Sequence, residues 1–450
     1  MLPVVTPDEM AAIDRAAPEP VDVLIGRAGR AVADRALMMM GGAYGRDVIV
    51  VAGKGNNGND GRDAARRLRR RGARVRVLDA ASLAPREPLG PCSLVVDAAF
   101  GTGFHGEYDA PDAGGAPVLA VDIPSGVSGL TGEACPGAVR ADATVTFAAY
   151  KPGLLFHPGR ELSGVVTVAD IGLDCSSATI DVVEADDVRA WLPARPPDAH
   201  KWRSAVWIVA GSPGMSGAAV LASGGAQRAG AGYVRLSSPG ADLPADASVE
   251  VVRTSLPHAG WDADVLEGLG RFKAVVVGPG LGTDPATAPA VQRLVRESPV
   301  PTVVDGDGLT ALGADVGRFT HPLTILTPHD GEYERLMGRP PGVDRVEAAR
   351  ALARLTNATV LLKGETPVIA DYEGRGLLVT TGDARLATAG TGDVLSGIIG
   401  GLLAQAVHPL RATAASGWLH GRASMLGSRR GLVAGDLVEC LPVVFDELER

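Results

Sequence analysis

Residues 48–72 read VIVVAGKGNNGNDGRDAARRLRRRG. A Val-rich run of strand length enters a Gly-rich turn and leaves as a helix. Ala64, Ala65 and Leu68 supply the apolar side of that helix, and Arg62, Arg66, Arg67, Arg69, Arg70 and Arg71 read as its solvated face. A strand apolar on both faces belongs in a parallel sheet covered by helices on each side. The same pattern recurs outward from this stretch, as VRVL (75–78), SLVVDA (93–98), VLAVD (118–122) and ATVTFA (143–148). Asp22–Met40 carries apolar residues at helical spacing. Beyond residue 200 the pattern resumes with VWIVAG (206–211), AVVVG (274–278), TVVDGDG (302–308), TILT (324–327) and TVLLKG (359–364). Strands alternating with helices predict an α/β protein built from two three-layer α/β/α domains.

The chain has 450 residues, and single cores usually stop growing by about 250–300 residues, so at least two domains are expected. The segment LPARPPDAHKW (192–202) holds three prolines, which interrupt regular structure, and it sets the expected division into 1–195 and 199–450. With 46% apolar residues but only 4% aromatic, the cores must be aliphatic. Gly (59) and Pro (32) are abundant without a Gly-X-Y period, which excludes collagen and leaves a turn-rich globular enzyme. A net charge of −9 argues against a nucleic-acid binder. Cys92, Cys135, Cys175 and Cys440 form no C-x-x-C, so neither a zinc site nor a disulfide framework is expected. MLPVVTPDEM lacks the basic and apolar regions of a secretory leader, and the apolar run Leu395–Val407 is too short to span a membrane and reads as a buried helix. A cytoplasmic protein without membrane or nucleic-acid partners is expected.

Gly53, Gly55 and Gly58 satisfy G-x-G-x-x-G, and Asp79 ends the next strand about 20 residues on, the pattern of a Rossmann-like dinucleotide site. The intervening residues are unusual for that pattern. Asn56, Asn57, Asn59 and Asp60 bring amides and a carboxylate where a pyrophosphate loop offers bare N–H groups, and such side chains suit a cation or polar ligand. An Asn-rich turn with Asp60 as a helix cap is the structural alternative. Asp97 and Asp122 end two further strands, with Ser125 just beyond. Ligands of doubly wound sheets bind past the carboxyl ends of strands, so Asp60, Asp97 and Asp122 are expected on one rim as a cation site plus an acid/base.

GKGNNGND, VVDAAFGTGFHGEY, VDIPSGVSGLTGE and TFAAYKPGLLFHPGRELSGVVTVADIGL, in that order, resemble the N-terminal domain of NAD(P)H-hydrate epimerases over most of residues 1–175. The family's loop reads N-N-G-G-D-G, and Asn59 stands here for a Gly. The resemblance implies that Asn56, Asn57, Gly58, Asn59 and Asp60, with Gly101, Thr102, Gly103, Phe104, His105, Gly106 and Glu107, hold the hydrated nucleotide, and that Asp122 binds it too. It implies a potassium ion on Asn57, Asp97 and Ser125. Epimerising a ring carbon that carries a hydroxyl beside nitrogen calls for acid/base help. Asp122 is the candidate base, and Lys151 the weaker candidate acid, with a surface lysine as its alternative.

In the second half LATAGTGDVLSGIIGGLLAQ (386–405) runs from a Gly loop into an apolar helix with Asp393 in its first turn. Helix N-terminal amides make an anion hole, and a carboxylate beside it can deprotonate a hydroxyl while a phosphoryl group is held. Capping alone is the structural alternative, and Gly397, Gly400 and Gly401 read as close-packing positions. Together with HKWRSAVWIVAGSPGMSGAAVLA, VVVGPGLGTD, VVDGDGLTAL, TILTPHDGE and VLLKGETPVIA, this segment resembles the ribokinase-like ADP-dependent NAD(P)H-hydrate dehydratases over nearly all of residues 199–450. The resemblance implies substrate contacts from Ala218, Gly282, His329 and Asp393, with Asp393 as base. It also implies ADP held, with magnesium, by Lys363, Gly364, Glu365, Thr366, Pro367 and Gly392. The family's Lys-Gly-x-x-Thr has Thr where Pro367 stands, and its Asn near D-x-D-x-L is Thr310 here. No G-K-[ST] is present, so a P-loop enzyme is excluded.

These readings converge on a bifunctional repair enzyme. It interconverts the R and S epimers of hydrated NADH and NADPH, and dehydrates the S form at the expense of ADP, releasing AMP and phosphate. A homo-oligomer is expected. The rivals are a dehydrogenase using GKGNNG, a ribokinase-like kinase for another small molecule fused to a nucleotide-binding domain, and a binding scaffold without turnover.

Overall fold

Val48, Val50 and Ala52 face one apolar core and Ile49 and Val51 another, which fixes the strand Asp47–Ala52 as one covered on both faces, by helices on the first and by connecting segments on the second. The protein is described by a computed structural model of residues 1–241 and 247–450. It divides into two compact units, Leu2–Ile180 and Asp181–Arg450. In the first, strands Asp47–Ala52, Arg74–Asp79, Leu94–Ala98, Val118–Val121, Ala143–Phe147 and Val165–Ala169 pair in parallel, in the spatial order second, first, third, fourth, fifth, sixth. Helices Val21–Met40 and Asn56–Arg70 pack on the face cored by Val32, Val50, Leu68 and Leu94. The second and third strands leave on opposite sides of the first, so a switch point lies at its carboxyl end. Ala52 pairs with Ala98, and Asp97 with Ala120, so the loops after those strands open side by side.

The second unit carries strands in the spatial order Gly376–Leu378, Val368–Ala370, Thr359–Leu362, Thr324–Leu326, Thr302–Val304, Ala274–Val277, Ala205–Val209, Tyr233–Ser237 and Val252–Arg253. The first three are joined by antiparallel pairs and the rest by parallel ones. Helix Thr391–Ala404 is buried at every position from Val394 onward. It lies so close to helix Ser216–Arg228 that a Cβ on Gly397 would sit 2.0 Å from the Ala222 carbonyl oxygen. Gly401 meets Ala226 and Ala229 of the same neighbour, whereas Gly400 faces the sheet, where a Cβ would lie 2.4 Å from a Val276 methyl.

All ten quoted strand runs form strands. Leu2–Val4, Val165–Ala169, Ile180–Val182, Tyr233–Ser237, Val252–Arg253 and the antiparallel pair Val368–Ala370 and Gly376–Leu378 are additional to them. The units part before the proline-rich stretch, because helix Ala185–Trp191 packs on helices Pro409–Leu426 and Ala434–Glu449 of the second unit. The Asn-rich stretch is not a turn: Asn56–Asp60 forms the start of the helix, Gly55 is its N-cap without a side-chain cap bond, and Asp60 lies inside. The arginines of that helix are not merely solvated. Arg62 donates to the Gly53 carbonyl, Arg67 to that of Gly26, and Arg66 and Arg67 both pair with Asp63. Among the described residues, no helix is long and apolar enough to cross a membrane.

Candidate active sites

At the switch point of the first unit lies a cavity of about 500 Å³. It is lined by Asn56, Asn57 and Asp60 from the helix, Gly101 to Phe104 from the next loop, and Asp122 and Lys151 from beyond two further strands. Nine predicted residues therefore converge there: Asn56, Asn57, Asp60, Gly101, Thr102, Gly103, Phe104, Asp122 and Lys151. Asp14, which the sequence did not single out, joins them. Gly58 is buried and lets the helix start close: a Cβ there would lie 1.9 Å from the Gly53 carbonyl oxygen. Asn59 is helical, its N–H donating to the Gly55 carbonyl, so no left-handed conformation is asked of it. His105, Gly106 and Glu107 are exposed and do not line the cavity. Asp79 does not line it either, and its carboxylate accepts from the Ala81 N–H at 3.0 Å, a local cap.

Lys151 is no surface lysine. Its side chain is 1% exposed and its ammonium lies 2.8 Å from Asp122 Oδ1, 2.9 Å from Thr146 Oγ1 and 2.9 Å from the Phe147 carbonyl. An ammonium has three hydrogens, and all three are met by these acceptors, so Lys151 holds Asp122 rather than reaching for a ligand. Thr146 Oγ1 donates to the same Asp122 Oδ1 at 3.0 Å, and Oδ2 faces the loop at Gly101. Asp122 takes φ +66°, a conformation unusual for a side-chain-bearing residue. Burial first, then the charges of Asp122, Asp63 and Asp14, push the Asp60 carboxyl up to about 8, so it is protonated at neutral pH.

Asp97 and Ser125 lie together, but neither lines this cavity. The Ser125 N–H donates to Asp97 Oδ2 at 2.8 Å and its hydroxyl to Oδ1 at 2.7 Å. Burial pushes the Asp97 carboxyl up to about 6 against those bonds. The Phe100 carbonyl accepts from Asn57 Nδ2 at 2.9 Å, and Ser125 Oγ accepts from the Phe100 N–H. Asn57 Oδ1 is buried without a partner. An orphaned amide oxygen beside a carbonyl and a hydroxyl is a donor set of hard oxygens, which fits an alkali cation. The Phe100 carbonyl was missed because a backbone oxygen leaves no trace in residue type.

In the second unit the loops after parallel strands converge on the start of helix Thr391–Ala404. Asp305 accepts from Lys363 Nζ at 2.5 Å and from Ser396 Oγ at 2.6 Å. Burial pulls the Lys363 ammonium down, but Asp305 and Glu332 outweigh it and its pKa stands above the ordinary lysine value. A Cβ on Gly392 would lie 3.3 Å from Lys363 Nζ, which brings the predicted Lys363 and Gly392 together. Burial first, then Asp305, push the Asp393 carboxyl up to about 6, with Lys363 opposing. Asp393 is in the first turn but makes no cap bond; Gly390 is the N-cap. Gly282 takes φ +72° and donates its N–H to Asp307 Oδ2 at 2.8 Å. Ala218 and Met215 both lie against Gly280, and the Met215 side chain also reaches Gly282, so the predicted Ala218 and Gly282 border the same loop.

His329 caps helix Asp330–Met337: its Nδ1 accepts from the Gly331 and Glu332 N–H groups, while Nε2 lies 3.6 Å from Glu332 Oε1. Gly364 and Glu365 are exposed, Thr366 is buried, and Pro367 is half-buried, its carbonyl accepting from Val379. Asp305, Glu332 and Ser396 were missed as site residues, although Asp305 sits in the quoted TVVDGDG and Ser396 in LATAGTGDVLSG. Among the described residues, no group of three or more His, Cys, Asp or Glu side chains could hold a metal ion.

The fold and the anion-hole site of the second unit define a ribokinase-like, nucleotide-using enzyme fused to a second α/β unit with its own polar cavity. The profile of a family described as NAD(P)H-hydrate dehydratase matches residues 206–441, and that described as YjeF-related protein N-terminus matches 21–90 and 80–153. The chain is 36% identical to the bifunctional NAD(P)H-hydrate repair enzyme Nnr of Moorella thermoacetica, over 99% of this chain and 97% of that one. It is 41% identical to the Nnr of Mycobacterium tuberculosis H37Rv, over 81% and 80%. The crystal structure of the ADP/ATP-dependent NAD(P)H-hydrate dehydratase from Bacillus subtilis, co-crystallised with ATP and Mg²⁺, matches with TM-score 0.50 and 30% identity, over 59% of this chain and 97% of that one. This chain belongs to the bifunctional NAD(P)H-hydrate repair enzymes, with an epimerase domain ahead of a dehydratase domain.

Proposed function

We propose that the first unit epimerises hydrated NADH and NADPH in the cavity beside Asp122, and that the second dehydrates the S epimer with ADP at the Asp393 site. Epimerisation breaks the carbon–hydroxyl bond with the help of the ring nitrogen's electron pair and re-forms it on the other face. Asp60, which lines the cavity with its carboxyl pushed up to about 8, gives its proton to the departing hydroxyl, which leaves as water. Asp122, held by Lys151 and Thr146 through Oδ1, has Oδ2 to take a proton from the water that returns. Potassium on Asn57, Ser125 and the Phe100 carbonyl, with Asp97 behind Ser125, would supply positive charge for the substrate's oxygens.

In the second unit Asp393 takes the proton of the ring hydroxyl as that oxygen attacks the β-phosphorus of ADP and AMP leaves. Phosphate then departs from the ring carbon, the neighbouring C–H proton is lost, and the dihydronicotinamide is restored. Lys363 and the amides at the start of helix Thr391–Ala404 hold the transferring phosphoryl group. Magnesium, if it accompanies ADP, neutralises phosphate charge.

The observation that carries this reading is a half-buried Asp393 in the first turn of a helix, its carboxyl pushed up to about 6 and under the charge of Lys363. It is tested by adding ADP to a mixture of both epimers and following recovery of the dihydronicotinamide absorbance. The full chain should recover the whole mixture. Asp122→Asn should stop at the S fraction, and Asp393→Asn should recover almost none. Full recovery by both variants would overturn the assignment. Replacing potassium by a bulky organic cation should slow epimerisation alone; equal rates would remove the cation site.

A further inference from the structure

Asp305 has no part in the steps above, yet its carboxylate joins two separate parts of the second site. It follows the strand Thr302–Val304 and is 2% exposed. One carboxylate oxygen accepts from Lys363 Nζ at 2.5 Å, just past the strand Thr359–Leu362, and the other accepts from Ser396 Oγ at 2.6 Å, one turn beyond Asp393 in the helix. A Cβ on Gly392 would lie 3.9 Å from the same Oδ2. Two loops and a helix therefore meet on one buried carboxylate. A lysine on its own is a point charge on a flexible stem. The bond to Asp305 fixes where its ammonium sits and which way its remaining hydrogens point.

We propose that Asp305 is a positioning residue for phosphoryl transfer: it pins the Lys363 ammonium against the first turn of helix Thr391–Ala404, and through Ser396 it fixes that turn, so that the two halves of the phosphate site keep one geometry. This rests on the reading of Asp393 and Lys363 given above. Asp305 also acts on Asp393 through its charge. The groups that face Asp393 are Asp305, Asp307 and Glu332, which hold its proton on, and Lys363, which favours its loss. Removing the charge of Asp305 therefore makes Asp393 a stronger acid and a weaker base, an effect that a merely structural residue would not produce.

The test measures ADP-dependent dehydration by the full chain across ADP concentration and pH, with the denaturant midpoint of the second unit as the control for folding. Asp305→Asn is expected to raise KM for ADP roughly tenfold or more, the size of effect that follows loss of a group orienting a ligand. It should also move the acid limb of kcat/KM down by about one pH unit. Ser396→Ala keeps the charge and frees Oδ2, so KM for ADP should rise a few-fold with the limb unmoved. A fall in kcat with KM and limb both unchanged in Asp305→Asn would overturn the proposal. If that variant does not fold, an unchanged KM in Ser396→Ala overturns it instead. Asp393→Asn run alongside separates the two levels: retained turnover there sinks the reading of the site itself, whereas loss there with an unmoved Asp305→Asn sinks only the positioning role.

Discussion

Two carboxyls with raised pKa values take opposite parts in the proposed function of the two units. Asp60, up to about 8, is useful while it keeps its proton; Asp393, up to about 6, is useful once it has lost it. The two activities of one chain should therefore respond oppositely to pH. Dehydration should rise through about pH 6 as Asp393 ionises, and epimerisation should fall through about pH 8 as Asp60 does. Separate initial-rate profiles check this, and two profiles with the same limbs would contradict it. Asn at position 393 is nearly isosteric but cannot accept the proton. Loss of a general base typically costs about 10²–10⁴ in rate, so Asp393→Asn should lose dehydration by that factor. ADP affinity, measured calorimetrically, should hold, because Gly390 rather than Asp393 is the N-cap. Lys151 shows what a sequence does not display: AYKPG is a loop by composition, and only the fold buries its lysine under Asp122.

Close helix contacts are visible in sequence as small residues, but their partners are not. GMSGAAVLASGGAQR and TGDVLSGIIGGLLA are both rich in Gly and Ala, and the structure lays one against the other at Gly225, Gly397 and Gly401. Adding a methyl at Gly397 meets backbone, which cannot swing aside as a side-chain tip can. Overpacking of this kind costs about 1–3 kcal/mol. Gly397→Ala should lower the denaturant midpoint of the second unit accordingly and leave epimerisation untouched; an unchanged midpoint would mean the two helices can separate freely. Long Val-rich strands were legible because they are apolar on both faces. Val165–Ala169, one edge of the first unit's sheet, has Val165 61% exposed and was not set apart from the longer segment that contains it.

Each sheet has its own core, and each family profile falls inside one unit. Fragments should therefore fold and work alone, but the cut matters. A fragment that begins near Asp181 keeps helix Ala185–Trp191 on helices Pro409–Leu426 and Ala434–Glu449, whereas one that begins near Asp198 loses it. The longer fragment should dehydrate the S epimer with a higher melting temperature than the shorter one, and the fragment ending near Ile180 should epimerise. Equal melting temperatures would show that the helix adds nothing. By itself the sequence determined the α/β class, the two-part organisation and the loops that line the candidate sites, because apolar runs and Gly-rich turns are local properties. Only the tertiary structure decided which of those loops share a cavity, that His105 and Glu107 stay outside it, and that Asp305 and the Phe100 carbonyl join the sites. Register and burial bring together residues far apart in the chain, and no local pattern encodes that proximity.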